Sequence, residues 1–155
     1  MTLLVDGDGL AYAAGFASEK DIIFSEYQHV LVTDERDAQD YIAMKIEEYQ
    51  SITGDRGKVI MCFSDNPTFR HEIYSEYKAN RIGTRKPLAF KEIVAAMKRY
   101  YEVAIYPNLE ADDVMGILGS EEKHTTRVIV SADKDMKTVP CILLRNGELE
   151  TISEK

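Results

Sequence analysis

KVIMCFSDNP, residues 58–67, is the stretch whose reading decides the fold. From Lys58 to Phe63 it is almost continuously apolar, and it lies between Gly57 and the turn-forming Ser64-Asp65-Asn66-Pro67. A strand with one wet face alternates apolar with polar residues, whereas a short unbroken run fits a strand covered on both faces. Covered strands of this kind are the strands of parallel sheets, because the crossovers that join them lay helices over both faces. A carboxylate, Asp65, then stands just beyond the strand's carboxyl end.

The same pattern recurs on either side. Thr2 to Val5 is a short apolar run ending in Asp6-Gly7-Asp8-Gly9 and followed by the small, helix-compatible Leu10 to Ser18, which predicts strand, tight turn and helix. Residues 21 to 32 match neither template uniquely. Thr33-Asp34-Glu35 reads as a helix start, and Ala38, Ile42, Lys45, Ile46 and Tyr49 keep helical spacing as far as Gly54, predicting a helix over 34–53. Beyond the central run, Pro87 opens a helix through about Tyr101. Val103 to Tyr106 gives a third strand, Glu110 to Ser120 a helix, and Arg127 to Val130 a fourth strand ending in Ser131-Ala132-Asp133. Pro140 to Leu144 and Glu148 to Ile152 flank Asn146-Gly147, the strongest hairpin signal in the chain. Alternating strands and helices specify an α/β fold, a mostly parallel sheet flanked by helices, with residues 1–155 forming one domain.

Composition agrees with one folded core: 155 residues, 45% hydrophobic, with 9 glycines and 4 prolines. Cys62 and Cys141 lie in apolar runs without metal-ligand spacing and read as reduced core residues. MTLLVDGDG meets Asp6 too soon for a signal-peptide core, and no apolar run approaches ~18 residues, so the expectation is a soluble protein of the cytoplasm, or of the host cytoplasm for a phage protein, with no membrane partner. The net charge of −8 counts against a protein held on nucleic acid chiefly by neutralising phosphates. That objection weakens where several of the acids converge on bound cations.

All four predicted strand ends are acidic. The first delivers Asp6 and Asp8, the second Asp65, the third leads to Glu110, Asp112 and Asp113, and the fourth delivers Asp133 and Asp135. In open parallel sheets ligands bind at these carboxyl ends. Each acid also has a local reading: Asp6 and Asp65 as turn residues, Glu110 to Asp113 as helix amino-terminal charges, Asp133 as a cap. Together they conflict with electrostatics. Two like charges ~4 Å apart repel by about 4 kcal/mol at an effective dielectric near 20, and several such pairs would rival a domain stability of roughly 5–15 kcal/mol. No lysine or arginine is interleaved in Glu110-Ala111-Asp112-Asp113. An oxygen-only donor set suits magnesium or manganese, and two neighbouring ions sharing carboxylates are the recurrent device for phosphodiester hydrolysis.

YKANRIGTRK, residues 77–86, holds Lys78, Arg81, Arg85 and Lys86 and no acid. It is a candidate phosphate-binding segment, and Tyr74 and Tyr77 supply rings on which bases could stack. The alternative is a solvated charged loop with packed tyrosines.

VDGDG, SDNPTFRHEIYSEYKANR with KP shortly after, LEADDVMG and SADKDMKTVP resemble, in the same order, the successive motifs of the 5′→3′ exonuclease and flap-endonuclease family, and most of all its T-seven-like podophage branch. The likeness runs from Leu3 to about Ile152. It implies a PIN-like catalytic domain, a magnesium- or manganese-dependent nuclease using two ions, and DNA with 5′ ends or flaps as substrate. By the same resemblance Asp6, Asp65 and Glu110 match the acids of a first metal site, Asp112 and Asp113 lie between sites, and Asp133 and Asp135 match acids of a second. Lys78 and Arg81 match the basic pair at the scissile phosphate. The catalytic set so implied is Asp6, Asp65, Lys78, Arg81, Glu110 and Asp112; Asp8 receives no role.

Two departures qualify the likeness. Family members continue into a helical DNA-binding region with a helix-hairpin-helix-like motif, and the sequence stops at Lys155, which leads to the expectation of a truncated or split enzyme whose carboxy-terminal DNA-binding half is absent or supplied by another chain. Ile82-Gly83-Thr84 is also short for a threading arch. Three rivals stand beside the resemblance. A haloacid-dehalogenase-like phosphatase shares VDGDG-like and EADD-like motifs but orders its strand motif before the acidic pair. A PIN-type ribonuclease clusters acids in the same way. A non-catalytic nucleic-acid-binding remnant would keep the fold without turnover. His29, His71 and His124 are scattered without ligand spacing and are read as structural or surface residues.

Overall fold

The computed structural model describes residues 2–26, 28–54, 56–65, 86–120 and 126–153. Its spine is a six-stranded sheet made of β1 (Thr2–Asp6), β4 (Lys58–Cys62), β5 (Glu102–Ala104), β6 (Arg127–Val130), β7 (Cys141–Arg145) and β8 (Glu148–Ile152). The order across the sheet is β5-β4-β1-β6-β7-β8, and every pairing is parallel except β7 with β8. The chain starts in the middle, builds outward to one edge through β4 and β5, then returns to build the other side from β6. That reversal sets a topological switch point beside β1, where an open α/β sheet leaves a crevice at its carboxyl ends.

Strand alternation divides the apolar side chains between two cores. On one face Leu3, Val5, Met61, Val128, Val130 and Leu144 pack under α1 (Gly7–Ser18), α2 (Glu35–Thr53) and α3 (Phe90–Tyr100). On the other, Leu4, Cys62, Ile129 and Leu143 pack under α4 (Ala111–Ser120) and Met136 of the 3₁₀ turn Lys134–Thr138. Both faces are therefore covered, as the unbroken run at 58–63 requires. Met61, Met97 and Met115 are fully buried in these cores. Both cysteines are free thiols; Cys62 is buried and Cys141 half-buried.

The helix predicted over 34–53 is α2, with Asp34 accepting from the Arg36 N–H at its amino end and Gly54 left-handed (φ 75°) at its carboxyl end. Asn146 and Gly147 both take positive φ, 52° and 80°, as a two-residue type I′ hairpin demands. The undecided residues 21–32 form an antiparallel hairpin, β2 (Glu19–Ser25) with β3 (Gln28–Thr33), outside the main sheet. Without a broad sheet face to bury, it leaves Ile22, Ile23, Val30 and Leu31 exposed, so no clean alternation was there to be read.

Three boundaries differ from expectation. The third strand is Glu102–Ala104 rather than 103–106. The helix expected from Pro87 begins at Phe90, because the Pro87 ring is seated against α1, where a Cβ on Gly15 would stand 2.4 Å from it. The expected tight turn at Gly7-Asp8-Gly9 is already the first turn of α1. Its glycines serve close approach: a Cβ on Gly7 would lie 2.8 Å from the Phe63 ring, and one on Gly9 2.8 Å from Asp6 Oδ2.

Candidate metal centre

β1 ends at Asp6, whose backbone is still extended and whose carboxylate turns onto the start of α1, accepting the Gly9 N–H at Oδ1 (3.1 Å). β6 lies directly beside β1 and runs on through Ser131 to Asp133, whose Oδ1 accepts the Asp135 N–H (2.9 Å). Asp112 stands in the first turn of α4. Fold geometry brings these three together at the switch point, and the titration of Asp6 and Asp112 reflects it. Burial pushes Asp6 from 3.8 up to about 6, opposed by the Gly9 hydrogen bond and reinforced by the charges of Asp8 and Asp133. Asp112 rises from 3.8 to about 7, first by burial, then through the charges of Asp6 and Asp133, a hydrogen bond with Asp133, and the charge of Glu110. A bound cation would relieve the same repulsion.

The remaining acids are held by local bonds. Asp65 accepts the Asn108 N–H at Oδ2 (2.9 Å) while its own N–H donates to the Leu109 carbonyl (2.9 Å). Asp113 Oδ2 accepts the Glu110 N–H (3.0 Å), and the Glu110 side chain is buried. Asp135 is exposed. Asp6 and Asp133 are both helix caps, and the charge of Asp133 also acts on Asp6.

Asp6, Asp112 and Asp133 thus act on one another electrostatically, with Glu110 also acting on Asp112. Among the described residues no three His, Cys, Asp or Glu side chains are gathered as a ready-made metal site. The donor set fits a divalent cation on chemistry: oxygens only, two of them on acids already pushed toward protonation.

Beside Asp6, on the α2 side, opens a cavity of about 460 Å³ that Tyr41, Tyr49, Ser131 and Asn146 also line. Its lining includes Lys45 and Glu48 but none of the other candidate metal-binding acids. Burial, with the charges of Tyr41, Glu48 and Asp6, pushes the Tyr49 phenol up to about 12.

Tyr74, Tyr77, Lys78, Arg81 and Arg85 lie outside the described residues, as do His71 and His124. Lys86 is described and exposed, with its ammonium 5.5 Å from the centre of the Phe90 ring. Sequence reasoning passed over three residues that shape the site: Asp8, Ser64 and Asn108. Asp8 Oδ2 accepts the Ser64 N–H (2.8 Å), Ser64 Oγ accepts the Ala111 N–H (2.9 Å), and Asn108 takes a left-handed φ of 63° as it offers its N–H to Asp65. An Asx residue in a tight loop was the one available signal for Asn108.

Fold and crevice together define an open α/β domain with a carboxylate site at its switch point. Residues 1–144 match the family model described as 5′-3′ exonuclease, N-terminal resolvase-like domain, and the chain belongs to that family. It is 32% identical over 151 residues to an exodeoxyribonuclease of Enterobacteria phage T3, covering 89% of this chain and 48% of that protein. It is 31% identical over 147 residues to an exonuclease of Escherichia phage T7, covering 89% and 49%. The chain thus spans about half the length of these relatives. Among solved structures, the phage T5 D15 protein co-crystallised with metal ions superposes with a TM-score of 0.59 at 18% identity, over 98% of this chain and 56% of that one. A T5 D15 flap endonuclease in a pseudo-enzyme-product complex with DNA and metal ions superposes at 0.53. Among the described residues no helix is long and apolar enough to cross a membrane.

Proposed function

We propose that this chain carries the metal-binding half of a 5′→3′ nuclease that hydrolyses phosphodiester bonds in DNA with 5′ ends or flaps. The observation that carries the reading is the convergence of half-buried Asp6, Asp112 and Asp133, the first two pushed toward protonation, at the crevice where the fold leaves room for a ligand. Magnesium or manganese, probed as two ions, would be held by Asp6, Asp112 and Asp133 with Glu110, Asp65, Asp113 and Asp135 around them. When bound, the ions supply an activated water and charge stabilisation at the leaving oxygen.

The chain's own residues prepare that chemistry. Gly9 holds the Asp6 carboxylate in place through its N–H. The amino end of α4 favours ionised Asp112 and Asp113, opposing the mutual repulsion. Met115 and Leu118 anchor α4, which carries Asp112, in the core beneath the sheet. Lys78 and Arg81 are assigned by resemblance to the scissile phosphate, where they would stabilise developing charge. A separate DNA-binding subunit is part of this proposal as a partner for the chain.

The test is magnesium-dependent cleavage of 5′-ended and flapped DNA by the purified chain, with a matched RNA substrate and with Asp112→Ala and Asp65→Ala as controls. Cutting of DNA that both substitutions abolish supports the reading. Preference for RNA favours a ribonuclease, and DNA binding without cutting in magnesium or manganese favours a binding module.

A further inference from the structure

We propose that Asp8 and Ser64 are positioning residues: through a two-bond relay they fix the carboxyl end of β4 to the start of α1 and to the start of α4, and so set the acids of three segments in register. The inference rests on the metal reading above for its functional meaning, and on geometry alone for its structural part.

Sheet pairing cannot do this work. The β1–β4 ladder ends at Asp6 opposite Cys62, and the β4–β5 side ends with the Phe63 N–H bonded to Ala104. Residues 64 and 65 lie beyond both ladders. Ser64 is instead held from two sides. Its N–H donates to Asp8 Oδ2 at 2.8 Å, across 56 residues of sequence, and its Oγ accepts the Ala111 N–H at 2.9 Å, across 47. Asp65 follows immediately and is tied to Leu109 and Asn108 in the loop that enters α4. One serine therefore links the segment of Asp6, the segment of Asp65 and the segment of Glu110 and Asp112.

The VDGDG motif is built for the first of these bonds. Gly7 lets α1 approach β4 so closely that a Cβ there would meet both the Phe63 ring and, at 3.0 Å, the Cys62 carbonyl. That approach carries Asp8 within reach of the Ser64 amide. A charged acceptor on a backbone N–H is among the stronger hydrogen bonds available for the purpose. Partners that orient ligands in this way typically govern metal affinity by about 10–100-fold when removed.

The experiment compares the full chain with Asp8→Ala, Asp8→Asn and Ser64→Ala by amide exchange in the metal-free protein and by manganese titration. Asp8→Ala is expected to accelerate exchange on the order of tenfold at Ser64 and also at Asp65 and Ala111, and to weaken manganese binding on the order of tenfold. Asp8→Asn keeps an oxygen that accepts the Ser64 N–H and is expected to restore both. Ser64→Ala keeps its N–H on Asp8 and loses the bond to Ala111, so it loosens Ala111 alone, which provides an independent readout should Asp8→Ala fold poorly. Faster exchange confined to Ser64 in Asp8→Ala, or manganese binding as weak in Asp8→Asn as in Asp8→Ala, would overturn the proposal, the latter by marking Asp8 as a charge or ligand. If the unsubstituted chain binds no manganese, the metal reading fails while the exchange pattern still decides the relay.

Discussion

Replacing Asp112 by asparagine should stabilise the metal-free protein at pH 8. In the folded chain Asp112 holds its proton up to about 7 instead of 3.8, because burial and the charges of Asp6 and Asp133 disfavour the carboxylate. An acid whose folded pKa is raised contributes stability that is complete below about pH 4 and is lost as the pH rises through about 7. The full rise is equivalent to about 4 kcal/mol at 1.36 kcal/mol per pH unit. Asp112 is only half-buried, so solvent screening reduces the cost to about 2 kcal/mol. Asparagine has no charge to desolvate and none to repel Asp6 and Asp133. Thermal unfolding in EDTA should therefore place Asp112→Asn about 4–8 °C above the unsubstituted chain at pH 8, with the gap closing towards pH 4. Added magnesium should raise the unsubstituted chain more than the variant. A variant equal to or less stable than the parent at pH 8 in EDTA would refute the claim that these acids repel one another in the fold.

Three further outcomes follow from the same structure. Manganese affinity measured by titration calorimetry should tighten more than about tenfold from pH 5.5 to 8, as protons leave Asp6 and Asp112, and then level off; a flat profile would contradict competition between proton and metal. Gly15→Ala should lower denaturant stability by about 1–3 kcal/mol, since its Cβ would stand 2.4 Å from the Pro87 ring, whereas an unchanged midpoint would mean that this contact yields freely. Asp34→Ala removes the acceptor for the Arg36 N–H at the start of α2 and should cost about 1 kcal/mol by the same assay, without altering manganese affinity.

The sheet was legible because its strands are covered on both faces, which leaves runs such as Lys58–Phe63 and Arg127–Val130 without alternation. The long helix was legible from Ala38, Ile42 and Ile46 between Asp34 and Gly54, and the final hairpin from Asn146-Gly147. The β2–β3 hairpin was not, because it packs no broad face and its exposed Ile23 breaks the alternation that reports burial. Pro87 misled the helix start, since its packing against Gly15 is a tertiary fact. For the site, strand ends told which acids to inspect but not which of them meet. That follows from strand order, which sets β6 beside β1 and so Asp133 near Asp6, and from tertiary bonds such as Asp8–Ser64 across 56 residues, neither of which is visible in the sequence.

The most direct test of the central claim is the anomalous signal of manganese in a crystal of this chain. Density for an ion bounded by carboxylate oxygens of Asp6, Asp112 and Asp133 is the expected result. A fully occupied lattice grown in manganese with no such density at the end of β1 would contradict it.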